Sequence, residues 1–138
     1  MSPRPNNPPN ERGDDERLIE LAEQARRLAY APYSRFTVGA ALLTRSGRIF
    51  IAANVENASY GLSMCAERAA VFKAISEGER EFDALAVVSR NAGAPCGACR
   101  QVLAEFGKDT RVIVADPQGN RTVWTVDELL PASFGPDD

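Results

Sequence analysis

Apolar positions recur along the chain at two periods, and the switches between them mark out the elements. Leu18, Leu21, Ala22, Ala25, Leu28 and Ala29 repeat at intervals of three and four. That spacing predicts an amphipathic helix with Asp14 or Asp15 as N-cap, ending before Pro32. Thr37 to Leu43 and Arg48 to Val55 are short apolar runs separated by Arg45-Ser46-Gly47, the pattern of a two-stranded hairpin. Asn57 to Met64 reads as a loop. Cys65 to about Glu77 is alanine-rich and predicts a helix with Val71, Phe72 and Ile75 facing inward and Gly78 as the stop. Ala84-Leu-Ala-Val-Val88 lies within a strand over Phe82 to Ser89 that is expected to be buried on both faces. A helix from about Cys96 to Phe106, stopped by Gly107, then precedes strands at Arg111 to Ala115 and Thr122 to Val126, with a turn at Asp116 to Asn120.

Strands alternating with helices in this order imply crossover units. The expected fold is α/β: a three-layer α/β/α sandwich around a mixed, mostly five-stranded sheet. Residues 1–14 hold four prolines and three asparagines and offer little to bury, so they are expected to form a disordered tail. Residues 15–138 are expected to form a single domain, and 138 residues are too few for two independent cores.

Composition narrows the chemistry. Histidine is absent, which excludes a Ser-His-Asp triad, a Cys-His dyad and any metal site needing imidazole. Net charge is −3, and no basic run exceeds two residues, which argues against nucleic acid as a partner. No apolar stretch approaches the roughly 18 residues of a membrane span, and the N-terminus lacks the apolar centre of a signal peptide. A cytoplasmic location, where thiols stay reduced, is the expectation.

Cysteine occurs only at Cys65, Cys96 and Cys99. Three thiols are an odd number for a disulfide framework but suit three ligands around one metal. Cys65-Ala66-Glu67 opens one predicted helix and Pro95-Cys-Gly-Ala-Cys99 opens the next, so Cys96 and Cys99 lie on one helix face. Soft thiolate donors favour Zn²⁺, and three protein ligands leave a position open for catalysis, whereas a structural zinc is usually closed by four. Glu67 is placed to handle the protons of the attacking water. Zinc with three thiolates carries a net charge of −1, which helix N-termini and Arg68 would offset.

Each residue also has a plainer reading. A lone C-x-x-C serves redox as readily as metal chemistry, and Cys65 taken alone is a small buried hydrophobe. Glu67 could be a favourable charge in a helix's first turn, and Arg68 a surface ion-pair partner. Phe36 and Phe134 would ordinarily belong to a core, and Asn54 and Glu56 to a loop.

Taken together the motifs are more specific. A Cys₃ or His/Cys/Cys zinc site with a non-ligand Glu and P-C-x-x-C marks the zinc deaminases. From about Tyr33 to Phe134 the chain resembles the small, homotetrameric, three-cysteine cytidine deaminases. The resemblance rests on Tyr33-Ser-Arg-Phe-Thr-Val-Gly-Ala-Ala41, Asn54-Val-Glu-Asn-Ala-Ser-Tyr60, Cys65-Ala-Glu-Arg68, Pro95-Cys-Gly-Ala-Cys-Arg-Gln-Val102 and Leu129-Leu-Pro131 with Phe134. It implies one zinc per subunit on Cys65, Cys96 and Cys99, with Glu67 as the proton shuttle and Arg68 hydrogen-bonding the thiolates. It further implies that Asn54 and Glu56 hold the ribose 3′-hydroxyl and that Phe36 and Ala66 line the nucleoside pocket. Tyr60 would reach towards a neighbouring subunit's site, and Phe134 would pack on the base across a subunit boundary.

The reaction so implied converts cytidine or 2′-deoxycytidine to uridine or 2′-deoxyuridine plus ammonia, in pyrimidine salvage. Two alternatives remain at this level. One is a blasticidin-S deaminase-like enzyme, which resembles the chain around the cysteines but lacks the ribose-binding glutamate. The other is a catalytically silent zinc-binding module.

Overall fold

The computed structural model describes residues 9–136. Five strands form one mixed sheet in the order β2-β1-β3-β4-β5, where β1 is Val38–Thr44, β2 Ile49–Ala53, β3 Phe82–Ser89, β4 Arg111–Ala115 and β5 Arg121–Thr125. β1 runs antiparallel to both β2 and β3, β3 and β4 are parallel, and β5 returns antiparallel to β4. Helix α1 (Pro9–Arg26) covers one face of the sheet. Helices α2 (Ala66–Ser76) and α3 (Gly97–Phe106) cover the other. The result is the expected three-layer sandwich.

The alternation of side chains along each strand decides how closely each layer approaches. Toward α1 the sheet presents Ala41, Ala84, Ala86 and Ala115, and toward α2 and α3 it presents Leu42, Leu85, Val87, Val112 and Val114. The small face lets α1 approach until backbone nearly meets backbone. A Cβ on Gly39 would stand 1.9 Å from the carbonyl oxygen of Ala22 and 2.6 Å from the amide nitrogen of Arg26. Glycine at 39 is therefore required by space. β3, central and paired on both edges, is buried along all eight residues, as its unbroken apolar run predicts.

Connectivity explains where the helices begin. Because β2 and β3 are both antiparallel to β1, they are parallel to each other, so β2-α2-β3 and β3-α3-β4 are both crossover units. Their helices lie on the same face and start beyond the C-terminal ends of β2 and β3. Those ends lie at the same edge of the sheet, the edge where ligands bind in open α/β folds.

Several local expectations need correction. The N-cap expected at Asp14 or Asp15 is not there, because α1 already runs from Pro9. The expected tail over 1–14 thus lies in helix from Pro9 onward, while residues 1–8 lie outside the described residues. Asp15 is instead buried and takes a forked ion pair from Arg111 of β4, at 3.0 and 2.5 Å. The helix also ends at Arg26, leaving Leu28 70% exposed, because the chain turns away to extend the sheet edge. There the Tyr30 amide donates to the Asn54 carbonyl and the Glu56 amide to that of Tyr30. Phe72 faces solvent rather than the core, since Ala66, Ala70, Val71 and Ala74 form the buried stripe of α2. Val126 opens a short helix, α4 (Val126–Leu129), instead of closing β5. The signal was present in the sequence: Thr125 and Glu128 form a reciprocal capping box.

Gly39→Ala is expected to lower stability by about 1–3 kcal/mol or more, the usual cost of overpacking. A urea midpoint equal to that of the unsubstituted chain would show that α1 does not depend on this close approach.

Candidate active site

The crossovers deliver the cysteines to one point. Cys65 is the N-cap of α2 and Cys96 the N-cap of α3, and neither side chain makes a capping hydrogen bond. Both thiols are therefore free to turn away from capping, with the positive helix ends behind them. Cys99 follows on the first turn of α3 and is buried, whereas Cys96 is exposed and Cys65 half-buried. The three sulfurs lie within 4.8 Å of one another. Cys65 Sγ is 4.0 Å from Cys96 Sγ, and Cys96 Sγ is 3.5 Å from Cys99 Sγ. Tetrahedral ligands at a Zn–S length of ~2.3 Å stand about 3.8 Å apart, so the spacing and the soft donor set fit zinc.

The charge of this cluster is managed locally. Arg68 Nη2 donates to Cys65 Sγ at 3.4 Å, while Arg68 Nε is buried with no hydrogen-bond partner among the described residues. A hydrogen bond from the Cys99 thiol, together with Arg68, holds the Cys65 thiol down at about 5. Donation to Cys65 and burial push the Cys99 thiol up. Glu67 points the other way: buried in the first turn of α2, its carboxyl is pushed up to about 7, chiefly by loss of water and also by the Cys65 charge.

A cleft of about 790 Å³ opens beside the cluster. Its walls include Phe36, Asn54, Glu56, Tyr60, Ala66 and Glu67, together with Cys65, Cys96 and Arg68. Of the residues singled out from the sequence, only Cys99 and Phe134 are absent from its lining. Phe134 is 85% exposed, and its carbonyl accepts from Gln101 Nε2 at 2.8 Å. Tyr60, in a single 3-10 turn at Tyr60–Leu62, is 91% exposed.

Two polar residues at the cleft, Glu56 and Asn54, are half-buried and already hydrogen-bonded. Glu56 accepts from the amides of Tyr33 and Ser34 at 3.0 and 3.1 Å, and from the Ser34 hydroxyl. The Ser34 bonds, side chain first, keep its carboxyl below the ordinary range. Asn54 Nδ2 donates to the Phe36 carbonyl and Asn54 Oδ1 accepts from the Val38 amide, both at 2.9 Å. Both side chains thus brace the 33–38 segment that carries Phe36. Ser34 was missed by sequence reasoning, although it stands in the Tyr33-Ser-Arg-Phe motif. Arg90 was missed as well: its guanidinium lies over the Phe36 ring, 5.0 Å from the centroid.

Comparison with known proteins agrees with this geometry. The family model of the cytidine and deoxycytidylate deaminase zinc-binding region matches residues 12–116. A cytidine deaminase of Halalkalibacterium halodurans is 54% identical over 128 residues, covering 91% of this chain and 97% of that protein. The crystal structure of cytidine deaminase from Burkholderia pseudomallei superposes with a TM-score of 0.83 at 52% identity, covering 86% of this chain and 98% of that one. A blasticidin-S deaminase from Bacillus cereus is more distant, at 28% identity over 130 residues, 87% of this chain and 91% of that protein. The chain belongs to the cytidine and deoxycytidylate deaminase family and is a zinc-binding deaminase.

Replacing Cys99 by Ala is expected to abolish stable zinc binding, measured by elemental analysis of purified protein. Zinc content equal to that of the unsubstituted chain would remove Cys99 from the ligand set.

Proposed function

We propose that the chain hydrolyses cytidine and 2′-deoxycytidine to uridine and 2′-deoxyuridine plus ammonia, with residues 15–138 acting as one catalytic domain. The observation that carries this reading is a buried carboxylate, Glu67, lining a cleft with room for a nucleoside beside three clustered thiols. Cys65, Cys96 and Cys99 hold the zinc. When bound, it acidifies water and so supplies the nucleophile at neutral pH.

The chain's own groups handle the rest. Glu67 moves one proton from the attacking water to N3 of the cytosine ring, which makes C4 electrophilic, and a second to the departing amine at C4. The balance is one water consumed and one ammonia released. Arg68 neutralises part of the thiolate charge, and Phe36 and Ala66 form apolar walls for the nucleoside. Glu56 and Asn54 hold the ribose 3′-hydroxyl. A carboxylate has about four acceptor sites, so the three bonds Glu56 already accepts leave one for a sugar hydroxyl. Asn54 has used one of its two amide protons and one of its carbonyl lone pairs, leaving one of each. Neither residue reads the 2′-position, so both sugars fit.

Glu56 also favours a plain nucleoside over blasticidin S, and the intact Glu67 argues against a silent zinc module. The reaction belongs to pyrimidine salvage in the cytoplasm, and no helix among the described residues is long and apolar enough to cross a membrane. The partner is a small nucleoside, not nucleic acid. The enzyme works as a homotetramer in which Tyr60 and Phe134 complete neighbouring sites, a role supported by their 91% and 85% exposure.

Zinc-loaded protein is expected to convert cytidine to uridine, followed as loss of cytosine absorbance, and to prefer cytidine to blasticidin S. Preference for the antibiotic, or no uridine at all, would overturn the reading. In the same assay Glu67→Ala is expected to keep its zinc while turnover falls by about 10²–10⁴-fold; retained turnover would take Glu67 out of the mechanism. Light scattering is expected to give the mass of four chains, and a monomer mass would remove the shared-site role of Tyr60 and Phe134.

A further inference from the structure

Cys96 is the most exposed of the three thiols and stands at the end of a thinly held connection from β3 to α3. Ala92 in that connection is left-handed, with φ 53°. Its first half is pinned to Ser89, whose carbonyl accepts from the Ala92 amide and whose hydroxyl accepts from that of Gly93. Among the described residues, one side chain alone hydrogen-bonds the backbone from Ala94 to Cys96, and it is that of Arg100. Arg100 Nε donates to the Pro95 carbonyl at 2.7 Å, and Arg100 Nη1 donates to the Leu129 carbonyl at 2.8 Å. The main-chain amide of the same residue donates to the Cys96 carbonyl at 3.0 Å.

These bonds join three parts of the fold. Pro95 immediately precedes Cys96. Leu129 is the last residue of α4, whose start is fastened by its capping box and by donation from the Val126 amide to the Thr110 carbonyl. Arg100 therefore ties the segment carrying the exposed thiol to a short helix anchored on β4 and β5. The planar guanidinium offers two donors at fixed angle, which a lysine ammonium cannot reproduce across two carbonyls. One residue on, Gln101 holds the Phe134 carbonyl, so the C-terminal segment is tied to α3 at a second point.

We propose that Arg100 is a positioning residue for the metal: by bracing Pro95 against Leu129 it keeps Cys96 in the ligand set, so zinc retention depends on the C-terminal segment. The inference rests on the reading of Cys96 as a zinc ligand and is independent of which nucleoside is deaminated. It differs from the part given to Arg68, which touches a sulfur directly.

The test follows zinc release from the full-length, zinc-loaded protein into excess 4-(2-pyridylazo)resorcinol, with no substrate present. Arg100→Gln is expected to release zinc about 10- to 100-fold faster, the usual scale for groups that orient a ligand. Arg100→Lys, keeping one of the two bonds, is expected to fall between. Activity lost by Arg100→Gln is expected to return with added zinc, which a merely misfolded variant would not show. Release at the unsubstituted rate from folded Arg100→Gln overturns the proposal. If that variant does not fold, amide exchange of the unsubstituted protein decides. Removing zinc is expected to speed exchange over 126–130 as well as near Cys96, and unchanged exchange over 126–130 overturns the proposal. Cys96→Ser is the control that separates the two readings: full zinc retention there defeats the ligand assignment itself.

Discussion

The parallel alignment of β2, β3 and β4, with α2 and α3 crossing on one face, is the constraint from which the site follows. A helix that follows a strand in a crossover must begin near that strand's C-terminal end. Two successive crossovers on the same side therefore place two helix starts side by side. Cys65 and Cys96 occupy those starts as N-cap residues whose thiols make no capping bond. β3 is buried along its whole length, and a one-residue slip of its register would turn Leu85 and Val87 toward α1, where only the small Ala84 and Ala86 now stand. The opposite layer contributes through closeness: Gly39 and a run of alanines bring α1 onto the sheet, and the Asp15–Arg111 fork joins it to β4.

Around the thiols the protein separates two electrostatic environments within a few residues of chain. Cys65 faces Arg68 and a helix N-terminus, both of which favour a thiolate. Glu67, two residues on, is turned into the buried side of the same helix turn, where loss of water disfavours its charge. One helix start thus supplies both a stabilised anion and a carboxyl that holds its proton more tightly. Bracing around the cleft has a similar economy. Glu56 and Asn54 face the cleft while their remaining hydrogen bonds fix the backbone that carries Phe36, and Arg90 covers that ring.

Much of this was legible in the chain because it is written in local patterns. The apolar run of β3, the Arg45-Ser46-Gly47 turn and the spacing of Cys96 and Cys99 each depend on residues close in sequence, and each expectation matched the structure. Where legibility failed, a long-range contact had overridden a local rule. Asp15 had the composition of an N-cap but is claimed by Arg111 from across the fold. Leu28 continued the helical period, yet the chain leaves the helix at Arg26 to pair Tyr30 with the sheet edge. Phe72 is apolar but lies off the narrow alanine stripe that α2 buries. Only α4 was missed despite a local signal, its capping box.

By itself the sequence determined the kinds of groups available: three thiols, no imidazole, a glutamate two residues from a cysteine, and the order of strands and helices. Those facts follow from composition and short-range periodicity, which need no folded neighbour to be read. The tertiary structure alone decided which groups meet and how each is held. Thirty-one residues separate Cys65 from Cys96 in the chain, and only the common edge of two crossovers brings their sulfurs to 4.0 Å. The exposure of Tyr60 and Phe134, the three bonds accepted by Glu56 and the grip of Arg100 on Pro95 and Leu129 likewise belong to packing. They depend on distances between segments remote in sequence, which no local pattern encodes.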